Sequence, residues 1–146
     1  MRALFINPEP VFADRKKYKP VSDMVKVMDV NPDDLHSLFK ILDCGSIDIP
    51  LRTICGYRLR IVLDDEGLFR DPKFPAIFLH ADGLDSPPAE IFYGRCLIFG
   101  PDDSEGNLTP LSDDALNELM CSVYAIFKGG DDFKARMLCL RVPVVY

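Results

Sequence analysis

The side chains that could do chemistry in this chain are mainly carboxylates, which occur in two short runs. The runs comprise Asp64, Asp65, Glu66, Asp102, Asp103 and Glu105. Carboxylate oxygens bind hard metal ions when several converge on one point. The first run continues an extended segment, whose consecutive side chains point in alternating directions. The second lacks the alternating ligands and the twelfth-position glutamate of a calcium-binding loop. We therefore predict neither a metal site nor a cofactor.

A second interpretation of the same carboxylates is a surface that binds a protein partner. If both runs lie on one side of the fold, they form a negative surface that attracts basic patches on other proteins. On this hypothesis all six carboxylates contact the partner, and a basic host factor is the expected partner. The alternative, that acidic loops only keep the protein soluble, stays open. Taken alone, 64–66 is typical of a solvated hairpin turn.

Catalysis has one candidate residue, His80, which follows a short apolar segment and precedes a loop. A nucleophile needs a base within hydrogen-bond reach, and Asp82 or a cysteine could accompany His80, although no spacing requires it. A small hydrolase or transferase that uses His80 as its base is therefore the alternative function. The five cysteines are widely spaced and form no CxxC pair, so we predict reduced thiols in the core rather than a zinc site.

The composition of the chain indicates one globular domain over 1–146. Hydrophobic residues make up 48% and charged residues 27%, a balance that supports a real core. The net charge of −6 disfavours direct binding to nucleic acid, because phosphate backbones repel an acidic protein. We see no apolar run near the roughly 20 residues that span a membrane and no secretory signal. We therefore expect a cytoplasmic protein that does not bind membranes.

Two periodicities predict an α+β fold with a mainly antiparallel sheet of about five to seven strands. Apolar residues at helical spacing predict helices over 33–43 and 112–128, the second capped by Ser112, and we expect both on one face of the sheet. A closed sheet with appended helices is the alternative. Segments with alternating or continuous apolar character predict the strands. These segments are 2–6, 24–30, a strand pair within 46–67, 74–80 (strand or helical turn), 91–99 and 136–146.

The two ends of the chain carry less regular patterns. Prolines and a basic run predict a mobile loop near 7–22. The last segment, 136–146, is apolar and contains Pro143, which is typical of an edge strand. An exposed edge invites pairing with another chain, whereas a strand that completes the protein's own sheet does not. We therefore expect a monomer or a homodimer.

Six segments between about residues 33 and 120 follow one another in a characteristic order: DDLHSLFKILDC, IDIPLRT, YRLRIVLDDEGLF, PKFPAIFL, IFYGRCLIFG and LTPLSDDALNEL. In this order the chain resembles a family of small proteins of unknown function from phages, plasmids and other bacterial mobile elements. The shared patterns are strands, turns and caps, so no functional residue is carried over. The resemblance implies an accessory protein that works inside bacteria. The main prediction is thus a non-enzymatic protein that binds a protein partner.

Overall fold

The computed structural model describes residues 1–9, 25–80, 87–122, 124–127 and 136–141, and it confirms the α+β class. Most of the predicted loop near 7–22 lies outside these residues. The described part contains ten strands, two α-helices and one 3₁₀ turn. In chain order they are β1 Arg2–Ile6, β2 Val25–Asp29, α1 Leu35–Leu42, β3 Ile47–Asp48, β4 Leu51–Ile54, β5 Tyr57–Asp64, the 3₁₀ turn Gly67–Phe69, β6 Pro75–His80, β7 Glu90–Tyr93, β8 Cys96–Phe99, α2 Asp113–Ser122, β9 Tyr124–Phe127 and β10 Arg136–Arg141.

The strands form two sheets. The larger sheet has the order β2-β1-β8-β5-β3, with β4 also paired to β5, and all its pairings are antiparallel. Pro50 separates β3 from β4 at one edge of this sheet, where a residue without an N–H is tolerated. The smaller sheet has the order β7-β6-β10-β9, and its one parallel pairing joins β10 to β6.

The large sheet is covered on both faces. Alternate residues of β5 and β8, such as Ile61 and Ile98, pack with α2 and the small sheet. The residues between them, such as Val62 and Leu97, pack with α1. The two helices therefore lie on opposite faces, and the prediction that both lie on one face is wrong. Alternation in the sequence shows which residues share a face but does not show which element covers it.

The predicted strand 91–99 is in fact two strands in different sheets. β7 belongs to the small sheet and β8 to the large one, and Gly94 lies between them with φ of +85°. This left-handed backbone conformation strongly favours glycine. Arg52 on β4 and Glu90 on β7 also connect the two sheets, through a bond of 2.8 Å between Nη2 and Oε1.

Helix ends explain two further differences from the predicted elements. α1 begins at Leu35, two residues after the predicted start at 33, because the Asp34 carboxylate caps it by accepting a hydrogen bond from the Ser37 N–H. The Ser112 hydroxyl accepts from the Ala115 N–H, which confirms the predicted cap of α2. However, α2 ends at Ser122 and β9 follows, so the predicted helix to 128 is wrong.

The last described strand is not an edge. β10 pairs with β9 through Arg136–Cys139 and with β6 through Cys139–Arg141. Of the two alternatives for this segment, the structure confirms the strand that completes the protein's own sheet, and the exposed edge is wrong for Arg136–Arg141. Residues 142–146, including Pro143, lie outside the described part of the chain.

We expect Gly94→Ala to lower the free energy of unfolding by about 1 kcal/mol, because alanine is strained at positive φ. A Cβ at Gly94 would meet no atom within 4 Å, so backbone strain alone is tested. Denaturant titration measures the change. Gly45→Ala is the matched control, since that site is equally open and has no positive φ. Equal effects at both sites would contradict the role given to Gly94.

Candidate functional site

The first acidic run is built around a buried carboxylate. Asp64 is only 7% exposed and is the one buried charged residue in the described part. Its Oδ1 accepts a hydrogen bond from the Glu66 N–H at 3.0 Å, and its Oδ2 accepts one from Arg70 Nε at 2.9 Å. This bond raises the pKa of the Arg70 guanidinium. Asp64 therefore fixes the local backbone, and the prediction of a solvated turn is correct only for Asp65 and Glu66, which are exposed.

A 3₁₀ turn, Gly67–Phe69, follows this carboxylate. The Phe69 N–H donates to the Glu66 carbonyl at 3.0 Å. Gly67 lies so close to β7 that a Cβ would be 2.7 Å from the Tyr93 carbonyl oxygen. The turn is thus held both by its own hydrogen bonds and by the neighbouring strand. We call the surface formed by residues 65–69 the knob.

The knob exposes two large apolar side chains. Leu68 is 55% exposed and Phe69 is 83% exposed, the largest value among the exposed hydrophobic residues of the described chain. Both residues are apolar, but they lie outside the core of the protein. The signal in the sequence for this turn is Asp64 followed by Gly67. An aspartate side chain that accepts a hydrogen bond from the N–H two residues later reverses the direction of the chain.

The second acidic run is also used internally. Asp102 forms two hydrogen bonds with Arg60, one of them 2.8 Å long between Nε and Oδ1. The Asp103 carboxylate accepts from the N–H groups of Glu105 and Asn107, both at 2.9 Å. These bonds lower the pKa of Asp102 and Asp103. Glu105 is exposed.

The two runs lie at opposite ends of the β5–β8 pair. Leu63 pairs with Cys96 near Asp64, whereas Arg60 pairs with Phe99 at the end that leads to the second run. Arg60 and Asp64 are four residues apart along β5, which corresponds to a distance of about 13 Å at roughly 3.3 Å per residue. The runs are therefore separated along this strand pair, and binding of a partner through all six carboxylates stays a prediction. Among the described residues, Asp65 remains unpaired in the first run, the exposed Glu66 lies 3.6 Å from Arg70 Nη2, and Glu105 is exposed in the second run.

The catalytic candidate His80 is the last residue of β6, and its backbone lies opposite Arg141 of β10. Its side chain and Asp82 lie outside the described part, so the hydrolase or transferase alternative stays a prediction. Among the described residues no group of three or more His, Cys, Asp or Glu side chains could hold a metal ion. No α-helix in the ranges described is long and apolar enough to cross a membrane.

The described cysteines include one core thiol. Cys96 is fully buried, and burial raises the pKa of its thiol to about 12. Cys44 is partly exposed, and burial is again the main cause of its raised pKa. The side chains of Cys121 and Cys139 lie outside the described part.

Comparisons with known proteins give no further assignment. No protein-family model, no curated protein and no solved structure matches this chain.

We expect Asp64→Asn to destabilise the protein by about 1–3 kcal/mol, because the Asn amide cannot accept the Arg70 and Glu66 hydrogen bonds together as the carboxylate does. Asp65→Asn is the matched control, and as an exposed change it should stay within about 0.5 kcal/mol. Urea denaturation measures both. If Asp64→Asn lowers the free energy of unfolding no more than Asp65→Asn does, the buried carboxylate does not stabilise the turn.

The Cys96 thiol should make stability depend on pH in alkaline solution. The thiol titrates near 9 when unfolded and near 12 when folded, so its contribution is complete below pH 9 and is lost as the pH rises towards 12. We expect Cys96→Ala to remove up to about 1.4 kcal/mol per pH unit of this slope. Denaturation at several pH values measures it. The neighbouring buried substitution Leu97→Ala is the control and should leave the slope unchanged; identical slopes in all three proteins would contradict the assignment.

Proposed function

We propose that this protein is a non-enzymatic accessory protein that binds a protein partner through the knob, residues 65–69. The observation that carries the proposal is the 83% exposure of Phe69 on a turn fixed by the buried Asp64. In this proposal the knob, and not the larger acidic surface expected from the sequence, contacts the partner. The proposal requires no cofactor and no catalytic residue.

The apolar half of the knob has the character of an interface hot spot. Burying a phenylalanine side chain is worth about 1.5–3 kcal/mol, and this is the gain that Phe69 leaves unused in the isolated chain. Large aromatic side chains dominate the binding energy of many interfaces. The hydrogen bonds of Asp64 and Phe69 already order the turn. Binding of a partner therefore costs little conformational entropy in the turn.

The acidic half of the knob selects the partner. Asp65 and Glu66 are exposed beside Leu68, and the whole chain carries a net charge of −6. A basic partner is attracted to such a surface, and the attraction weakens as salt is added. The partner we propose therefore has an apolar pocket with lysine or arginine residues at its rim. Asp102 and Asp103 belong to the internal bonding of the second loop and are not part of this contact.

The cellular setting we propose rests on the resemblance to phage and mobile-element proteins. A small acidic protein of this kind would act in the bacterial cytoplasm, and its partner would be a basic host factor. Host proteins that normally bind nucleic acid have basic surfaces of the required type. The proposal does not depend on any enzymatic activity of the chain.

The test is selection of a peptide-display library on the native protein, followed by affinity measurements on single variants. We expect the selected peptides to combine basic and aromatic or aliphatic residues. Phe69→Ser should weaken their binding about thirtyfold, corresponding to about 2 kcal/mol. Met120→Ser is the matched control, because Met120 is a large apolar residue that is 45% exposed on α2 and does not belong to the knob.

The charges of the knob are tested with the same peptides. Asp65→Asn with Glu66→Gln should weaken binding and reduce its salt dependence, whereas Glu105→Gln with Glu118→Gln, both exposed and outside the knob, should not. Selection of peptides without basic residues, or equal binding by the Phe69 and Met120 variants, would overturn the proposal.

A further inference from the structure

The outer edge of β2 is a backbone surface of the large sheet. β2 is the first strand in the sheet order, with β1 on one side and, in the part of the chain that the structure describes, no strand on the other. Its pairing with β1 runs from Val25 to Asp29 without a bulge, and the strand contains no proline. Bulges, prolines or covering elements usually protect an edge from other chains. The edge of β2 can therefore accept a further strand.

The register shows which backbone groups of β2 face outward. The Val30 N–H donates to the Met1 carbonyl at 2.8 Å, which continues the β1–β2 ladder by one residue. In an antiparallel ladder, every second residue directs its N–H and C=O towards the same neighbour. Lys26 and Met28 therefore share the direction of Val30 and face β1. The outward N–H and C=O groups are those of Val25, Val27 and Asp29.

The middle residue of this outward set also has an exposed side chain. Val27 lies opposite Leu4 of β1, on the face of the large sheet that packs with α2 and the small sheet. Leu4 is fully buried there, whereas Val27 is 48% exposed. The covering elements thus bury β1 but leave Val27 in contact with solvent. An apolar side chain and unpaired backbone groups therefore coincide at the centre of the edge.

We propose that β2 pairs antiparallel with β2 of a second copy of this chain, with Val27 of each copy at the centre. A two-fold interface brings the same patch of both copies together, so the patch must complement itself. The outward residues meet this condition because Val25 and Asp29 are placed symmetrically about Val27. Val27 then exchanges backbone hydrogen bonds with Val27 of the second copy, and Val25 exchanges them with Asp29 of the second copy. The two exposed valine side chains become a cross-strand pair.

The charges of β2 fit a second copy of the same strand. Like charges directly opposite each other destabilise a strand pair. In the proposed register Lys26 lies opposite Met28 of the second copy, so the two lysines do not face each other. Asp29, whose carboxylate bonds the Met1 ammonium, lies opposite Val25 of the second copy. Each Lys26 is thus one residue along the ladder from an opposite charge, the Asp29 of the second copy.

The size of the contact determines its strength. A pair of strands of this length is smaller than the interfaces of permanent dimers. We therefore expect a reversible dimer whose population rises with protein concentration. The contact goes beyond the proposed function and does not depend on it, because no residue of the knob takes part.

The first test is sedimentation velocity over a range of protein concentrations. Val27→Lys keeps the backbone N–H but places two lysines opposite each other, and it should weaken the dimer at least tenfold. Met120→Lys is the matched control, because Met120 is 45% exposed on α2 and the substitution makes the same change in net charge. Both substitutions reduce the general repulsion between two copies of charge −6, so a loss confined to Val27→Lys comes from its position.

A second variant tests the backbone directly. Val27→Pro removes an outward N–H that β1 does not use, at an edge where proline is tolerated, and it should also weaken the dimer at least tenfold. Amide hydrogen exchange of the native protein, followed by NMR, measures the same groups. We expect the Val27 amide to exchange slowly only at concentrations where the dimer forms. The Lys26 and Met28 amides should exchange slowly at every concentration, because they face β1.

Three results would overturn the inference: a monomer at every concentration, a dimer that Val27→Lys weakens no more than Met120→Lys does, or slow exchange of the Val27 amide already in the monomer. The last result would show that the edge is paired within its own chain. Phe69→Ser should leave the dimer unchanged. A failure here therefore leaves the partner contact proposed for the knob standing, and a failure of the knob leaves the β2 dimer standing.

Discussion

Burial of the β5–β8 pair on both faces is the constraint on which the rest of the structure depends. One face packs with α1, and the other packs with α2 and the small sheet. Both strands are apolar on both sides over Ile61–Leu63 and Cys96–Phe99, so the charged residues of this pair lie where the pairing ends. This places Asp64 at one end and the loop containing Asp102 at the other. The positions of both acidic runs follow from the burial of this one strand pair.

The carboxylates show why a charge count overestimates the surface available to a partner. Asp64 and Asp102 each bind an arginine, and Asp103 binds backbone N–H groups of its own loop. Half of the six carboxylates thus stabilise the fold. The arginines that neutralise the first two are six residues after Asp64 and forty-two residues before Asp102 along the chain. Such ion pairs depend on tertiary structure and cannot be recognised from a local run of acidic residues in the sequence.

Local patterns predicted the elements well where one physical cause acted alone. The strand pair within 46–67 and the hydroxyl cap of α2 are both confirmed. Prediction failed where two causes competed or where tertiary contacts decided. The apolar residues of Tyr124–Phe127 suit either a helix or a strand, and pairing with β10 makes them a strand. The exposure of Phe69 could not be predicted without knowledge of the hydrogen bonds of Asp64.

The central position of β8 has a consequence for the chain as it leaves the ribosome. β1 and β2, and β4 and β5, are neighbours that pair locally, and the Cys55–Gly56 turn with positive φ at both residues favours the second hairpin. β8 then inserts between β1 and β5, so both hairpins have an unpaired edge until residue 99 has been synthesised. Nascent chains with open strand edges are prone to aggregation. The large sheet of this protein therefore cannot close before β8 has been synthesised.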